Sequence, residues 1–334
     1  MFRSPESGWT VCRRRCNDLA HFEQRLMVMA SPNDRMDLRD WSLLGLLSVV
    51  WSGSFIFNSL ALKELPPLTL VLLRIALAAA ILLPVLRLSG LGLPKGIVGW
   101  RPYFAVALFN NVVPFCLIVI GQTYITSGLA AVLNATTPLF TIAVMAAAGE
   151  EGLSVRRVAG LIVGLVGVVI LRGGSGMDGA GGGYGILFGL AASLSYGVAA
   201  LLVRRHLANS PPLATATFQL SASSVMMLVV AGLVDQPWRL PMPGLQTWLA
   251  ISALAALSTA FAYIVFFQVL RRSGATNVTL VTLLIPLTTI LLGFLVLGET
   301  ISLREILGAL VIGSALLVID GRIFAILRVA PRAS

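Results

Sequence analysis

SGLAAVLNATTPLFTIAVMAAAGEEGLSVRRVAGLIVGLVGVVIL, residues 127–171, and ATNVTLVTLLIPLTTILLGFLVLGETISLREILGALVIGSALLVI, residues 275–319, are two readings of one pattern. A shift of 148 residues carries Pro138, Leu139, Thr141, Ile142, Glu151, Ser154, Arg156, Gly160 and Val163 onto Pro286, Leu287, Thr289, Ile290, Glu299, Ser302, Arg304, Gly308 and Val311. Each copy is an apolar run with an internal proline, a Gly-Glu connection, and a second apolar run rich in glycine. Continuous apolar runs of about 20 residues match a bilayer's hydrocarbon core as helices, whereas barrel strands need short alternating segments. The same helix pair is therefore written twice.

Nearer the amino terminus, a shift of 144 or 145 residues carries Gly45, Gly53, Pro66 and Pro67 onto Gly189, Gly197, Pro211 and Pro212. Apolar runs at 41–61, 67–86, 102–121, 126–148, 156–171, 183–203, 213–234, 247–269, 275–297 and 303–320 predict ten transmembrane helices in an all-α membrane protein. The repeats divide them five and five: 41–172 is the first, 183–320 the second, with tails at 1–40 and 321–334. An odd helix number starts the second copy on the other side of the membrane. Two inverted repeats give a protein two alternative arrangements around one central site.

Composition agrees. With 57% hydrophobic and 11% charged residues, the chain lacks the charged quarter with which a soluble globule covers itself. The net charge of +10 does not point to nucleic acid, because the basic residues collect at the ends of apolar runs and find their counter-charge in anionic lipid. If the amino terminus is cytoplasmic, seven Lys and Arg of the tail and Arg87, Lys95, Arg101, Arg156, Arg157, Arg204, Arg205, Arg271, Arg272, Arg322, Arg328 and Arg332 share that face. The opposite face receives Lys63, Arg172, Arg239 and Arg304. Nineteen against four places both termini in the cytoplasm by the positive-inside rule. The first 35 or so residues lack the compact apolar centre of a cleaved signal, and Met29 or Met36 are alternative starts. Cys12, Cys16 and Cys116 read as free thiols, and no His/Cys spacing suggests a metal site.

Together with WSGSFIFNSLALKELPPLTLVLLR from Trp51, the two opening stretches resemble the EamA family of the drug/metabolite transporter superfamily over nearly the whole chain beyond Asp40. The resemblance implies ten helices and the movement of small metabolites, commonly outward, through a cavity between the repeats. It implies no cofactor, no prosthetic group and no enzymatic chemistry. The chain departs from the pattern at Gly149-Glu150-Glu151, where the second copy has Gly298-Glu299; the repeat offset favours Glu151 as the match.

Polar residues inside apolar helices are the candidates for a substrate cavity. Arg74 stands within VLLRIALAAAILLPVL; it either attracts an anion in the cavity or snorkels to a carbonyl, and Gln219 is its repeat counterpart. The family often carries an arginine here. Asn110 and Asn111 precede Pro114, and Asn134 and Thr282 occupy matched positions four residues before Pro138 and Pro286. Each proline removes one helical hydrogen bond, so Pro114, Pro138 and Pro286 are candidate hinges, or packing irregularities tolerated by hydroxyls such as Thr136 and Thr137. Trp51, Tyr196, Phe261, Tyr263 and Phe267 can offer aromatic faces, and Gln268 adds an amide; Trp41, Trp100, Trp238 and Trp248 read as interfacial anchors. No Asp or Glu falls mid-helix, and Glu151 and Glu299 read as loop-holding residues paired with Arg156 and Arg304. Gly160, Gly164, Gly167, Gly308 and Gly313 allow close helix approach, within a monomer or in a homodimer.

These readings converge on a secondary transporter in the cell inner membrane, exporting small metabolites such as amino acids or related compounds by alternating access. Its partners are a small-molecule substrate and membrane lipid. The alternative from another class is a membrane receptor or assembly protein without transport. Without paired buried carboxylates, a histidine cluster or a nucleophile with its base, an enzyme is disfavoured.

Overall fold

Asp37 opens the described part of the chain and caps its first helix. The backbone N–H of Asp40 donates to Asp37 Oδ1 at 2.7 Å and that of Asp37 to Asp40 Oδ2 at 3.3 Å, a reciprocal capping box. The computed structural model describes residues 37–152, 154–171, 182–266, 268, 269, 272 and 281–320. Expectations for the tail 1–36, Arg172 and the linker through 181, Phe267, Arg271, residues 275–280 and the tail 321–334 lie outside them.

The described helices are α1 Leu38–Ala61, α2 Pro67–Leu88, α3 Gly96–Gly121, α4 Ser127–Ala147, α5 Val155–Leu171, α6 Gly182–His206, α7 Pro212–Val234, α8 Leu245–Phe266, α9 Val281–Leu292 continued by Gly293–Leu297, and α10 Leu303–Asp320. Proline starts α2 and α7, where its missing N–H would have had no partner anyway. Seven of the described helices, α1–α4 and α6–α8, are long and apolar enough to cross a membrane. Half or less of each apolar window is buried by protein, so the remaining apolar face needs lipid. The protein is an all-α, multi-span membrane protein.

Packing follows a crossed pattern. The helix α2 lies against α7, and α5 against α10; α1 packs on α8 and α9, while α6 packs on α3 and α4. One buried cluster joins α2, α3, α7 and α8 through Leu70, Ile75, Val119, Leu220 and Ile251; a second joins α1, α4, α6, α8 and α9 through Leu47, Leu133, Ala192, Val265 and Ile285. Small residues set the closest approaches. A Cβ on Gly167 would stand 3.1 Å from the Gly308 carbonyl oxygen, and one on Gly197 would stand 3.1 Å from the Phe140 carbonyl group. Thus the α5 and α10 glycines serve, at Gly167 and Gly308, a contact within one chain.

Three local expectations change. The fourth span is not one rod: it breaks between Asn134 and Thr137, and Pro138 sits in the first turn of the second piece, where its missing N–H leaves no bond within that piece unmade. Hydroxyls replace the lost backbone donors, Thr136 Oγ1 to Leu133 O at 2.6 Å and Thr137 Oγ1 to Asn134 O at 2.7 Å. The third helix starts at Gly96 rather than Pro102, with Trp100 packed edge-on to Phe218, ring centroids 5.5 Å apart. Finally, Glu299 bonds not Arg304 but the amino end of α4. Glu151 pairs with Arg157 at 3.0 Å and Arg204 at 2.9 Å, while the side chain of Arg156, its expected partner, lies outside the described set.

Candidate functional site

Two described helices change winding at the same place. Leu108–Val112 in α3 and Ala256–Phe261 in α8 are π-helical, and their first residues stand 148 positions apart, the offset of the repeat. A π turn inserts a residue, rotates the rest of the helix beyond it, and leaves backbone carbonyls in want of donors. In α3 the N–H of Val113 bonds Leu108 O, so the next bond in the series would run from Pro114 to Phe109 O. Proline has no N–H, and the Ser195 hydroxyl of α6 donates to Phe109 O instead, at 2.8 Å. In α8 the Thr259 hydroxyl turns back onto Leu254 O at 2.9 Å.

Each π turn is held by a polar side chain from across the packing. Asn110 Nδ2 donates to Gln219 Oε1 of α7 at 2.8 Å, and Asn111 Nδ2 to Ser223 Oγ at 3.0 Å, with Ser223 Oγ donating in turn to Gln219 O at 2.6 Å. From α2, Arg74 Nε donates to Thr259 Oγ1 at 3.1 Å, and its guanidinium lies 3.9 Å over the Phe115 ring. Gln219 Nε2 reaches Tyr263 OH at 3.5 Å, which also meets Asn110. Arg74 is only 7% exposed and does not snorkel. Its neighbours include the hydroxyls of Tyr196 and Tyr263.

The structure therefore brings Arg74, Asn110, Asn111, Tyr196, Gln219 and Tyr263 into one buried neighbourhood between α2, α3, α6, α7 and α8. Trp51 lies half-buried beside it and packs against Phe266, centroids 5.7 Å apart. Other candidates stand apart. Gln268 is exposed near the end of α8, Asn134 is half-buried at the α4 break with Oδ1 unpartnered, and Thr282 is half-buried in the first turn of α9. Of the prolines, Pro114 follows a π turn, Pro138 starts a helical piece, and Pro286 lies inside α9.

Thr259, Phe115 and Ser223 complete the neighbourhood and were missing from the sequence-based set. The signal for two of them existed: the 148-residue shift carries Asn111 onto Thr259, and Ser223 lies one helical turn beyond Gln219. Among the described residues no group of three or more His, Cys, Asp or Glu is placed to hold a metal ion. A small cavity elsewhere, with room for about one water, is lined by Thr126, Gly128, Glu299 and Glu305.

Residues 40–173 and 183–319 both match the EamA-like transporter family. The chain belongs to the EamA-like transporter family. That family is one of transporters, not enzymes. Among its relatives, the uncharacterized transporter YoaV of Bacillus subtilis is 25% identical over 277 residues, 81% of this chain and 93% of YoaV. The uncharacterized inner membrane transporter YedA of Escherichia coli K12 is 26% identical over 288 residues, 83% of this chain and 90% of YedA. A solved crystal structure at 18% identity superposes with a TM-score of 0.60 over 86% of this chain and 98% of its own, a likeness of fold alone. This EamA-like chain thus matches these relatives over nine-tenths or more of their length, and the pair of π turns at Leu108 and Ala256 lies one in each matched stretch, a further π turn at Gly293–Leu297 standing in the second.

Proposed function

We propose that this EamA-like protein is a secondary transporter that exports small metabolites, such as amino acids or related compounds, by alternating access. Ten helices cross the inner membrane as two inverted five-helix repeats, with both termini in the cytoplasm. The observation that carries the reading is the matched pair of π turns, each held by a side chain from the other repeat: Asn110 on Gln219, and Thr259 on Arg74. Exchange of partners between repeats is what a rocking pair of half-bundles requires. Loosening one tie and tightening the other opens the neighbourhood to one side and closes it to the other.

The topology is supported by which groups meet at the helix ends. Arg272 pairs with Asp40 at 2.9 Å, and Arg204 and Arg205 pair with Glu151 and Glu150 at 2.9 and 2.7 Å, all residues assigned to the cytoplasmic face. Thr69 meets Asp235 at 2.7 Å and Gly244 meets Glu64 at 2.7 Å on the face assigned outside. The inner-membrane placement rests on YedA, a relative of that description.

The test is flux in proteoliposomes with a panel of labelled amino acids, nucleosides and cationic dyes, with and without a proton gradient, for the wild type and Asn110→Ala. Counterflow in the wild type, lost in the variant, supports the transporter. Folded, inserted protein that moves no compound while binding a partner protein supports the receptor or assembly reading.

A further inference from the structure

Arg74 is a buried cation that meets no carboxylate among the described residues. Its Nε donates to Thr259 Oγ1 at 3.1 Å, and among the described residues no acceptor meets Nη1 or Nη2. The described carboxylates whose partners are resolved are engaged at helix ends: Asp40 with Arg272, Asp235 with Thr69, Glu64 with Gly244, and Glu299 with Ser127. Glu150 and Glu151 hold Arg204 and Arg205. The ring of Phe115 covers one face of the guanidinium, and the other groups near it are the hydroxyls of Tyr196 and Tyr263 rather than carboxylates. A buried charge so placed is costly until an anion joins it.

Resting on the transporter reading above, we propose that the substrate is a small carboxylate with an apolar or aromatic body, and that Nη1 and Nη2 of Arg74 bind its carboxylate. The free edge of a guanidinium presents two parallel N–H groups that match the two oxygens of a carboxylate. Phe115, Tyr196 and Tyr263 give the body of the substrate aromatic surface beside the charge. Asn111 Oδ1, buried and without a partner, accepts a hydrogen bond from a substrate hydroxyl or amide. An ammonium group finds no described carboxylate here, so a plain carboxylate is preferred to a zwitterion, and a zwitterion to an amine. The Nε bond to Thr259 meanwhile aims the fork, which makes the α2–α8 tie sensitive to occupancy.

The experiment uses compounds that share one ring and differ in charge: phenylacetate, phenylacetamide, phenylalanine and phenethylamine. Uptake of labelled phenylacetate into proteoliposomes is measured with the others as competitors, for wild type, Arg74→Gln and Arg74→Lys. Phenylacetate is expected to enter and phenylacetamide to compete about thirtyfold or more weakly, the loss expected when a buried charge pair lacks one member. Arg74→Gln should abolish the preference, and Arg74→Lys should keep part of it. Should Arg74→Gln fail to fold, the comparison of acid and amide in the wild type decides alone. Equal competition by the amide overturns the inference, as does anion uptake that survives Arg74→Gln in folded protein. Uptake of phenethylamine without phenylacetate overturns it while leaving a transporter; no flux of any compound in this and the wider panel overturns both.

Discussion

Glu299 Oε1 accepts the backbone N–H of Ser127 at 2.9 Å, and its Oε2 accepts the Ser127 hydroxyl at 2.7 Å and the Gly128 N–H at 3.3 Å. A carboxylate from the far end of the chain thus satisfies the open amino end of α4, where unpaired donors and the helix dipole both favour negative charge. Its repeat counterpart Glu151 instead faces Arg157 and Arg204 with about a third of its side chain exposed, at 34%. Glu299→Gln should therefore cost about 1.5–3 kcal/mol of stability, as expected for hydrogen bonds to a charged group. Glu151→Gln should cost under about 1 kcal/mol, and less in salt. Thermal unfolding of both variants in one detergent checks the contrast; equal losses would contradict it.

Gly197 and Gly53 are matched by the repeat and differ in what they touch. A Cβ at 197 would meet the Phe140 carbonyl carbon and oxygen and the Thr141 nitrogen, each at 3.1 Å, which is backbone and yields little. At 53 it would meet the Phe57 ring at 3.2 Å and the Ser258 hydroxyl at 3.4 Å, and both can turn aside. Gly197→Ala should destabilise by about 1–3 kcal/mol, the usual range for overpacking, and Gly53→Ala by clearly less. The same unfolding measurement, made on the pair, reads the difference directly.

Membrane-length helices were legible because an apolar run of fixed length answers to one physical constraint, the thickness of the bilayer. Arg74, Asn110, Asn111, Gln219 and Tyr263 were legible as polar exceptions within such runs. Partner choice was not. Glu299 and Arg304 look like an ion pair in sequence, yet the structure gives Glu299 to α4, because the amino end of a helix 172 residues away offers better-aligned donors than a neighbouring arginine at the surface. The α4 break was hidden for a similar reason: Thr136, Thr137 and Ser193 supply hydroxyls to Leu133 and Asn134 carbonyls, so the chain can leave the helix without an apolarity gap. The π turns leave no mark in hydropathy at all; proline at 114 hinted at one, and nothing comparable stands in α8.

Glu64 joins the α1–α2 connection to the start of α8, accepting the Gly244 N–H at 2.7 Å. The Thr247 hydroxyl and the Gly244 N–H hold its carboxyl below the usual glutamate value of 4.5. A folded-state value below the unfolded one means that the unfolded chain takes the proton more readily. The contribution of Glu64 is thus complete above the ordinary glutamate range and is lost as pH falls through the lower, folded-state value. Amide exchange at Gly244 should stay slow at neutral pH and quicken, after correction for the intrinsic rate, only below about pH 4.5. In Glu64→Gln that step should vanish, and a step that persists would assign the effect to another group.

Ser195 and Pro114 form a more demanding test, because one change should cancel the other. The Ser195 hydroxyl serves Phe109 O only because residue 114 has no N–H to offer. Ser195→Ala leaves that carbonyl unsatisfied at a buried position and should cost about 1–3 kcal/mol. Pro114→Ala restores a backbone donor to α3, so the double variant should recover most of the loss even though Ser195 is still missing. Thermal unfolding of the wild type, both single variants and the double variant gives the coupling as a cycle. Additive losses would mean that another group holds Phe109 O, and that Pro114 does not set the π turn; recovery would fix the turn as the product of one absent N–H and one supplied hydroxyl.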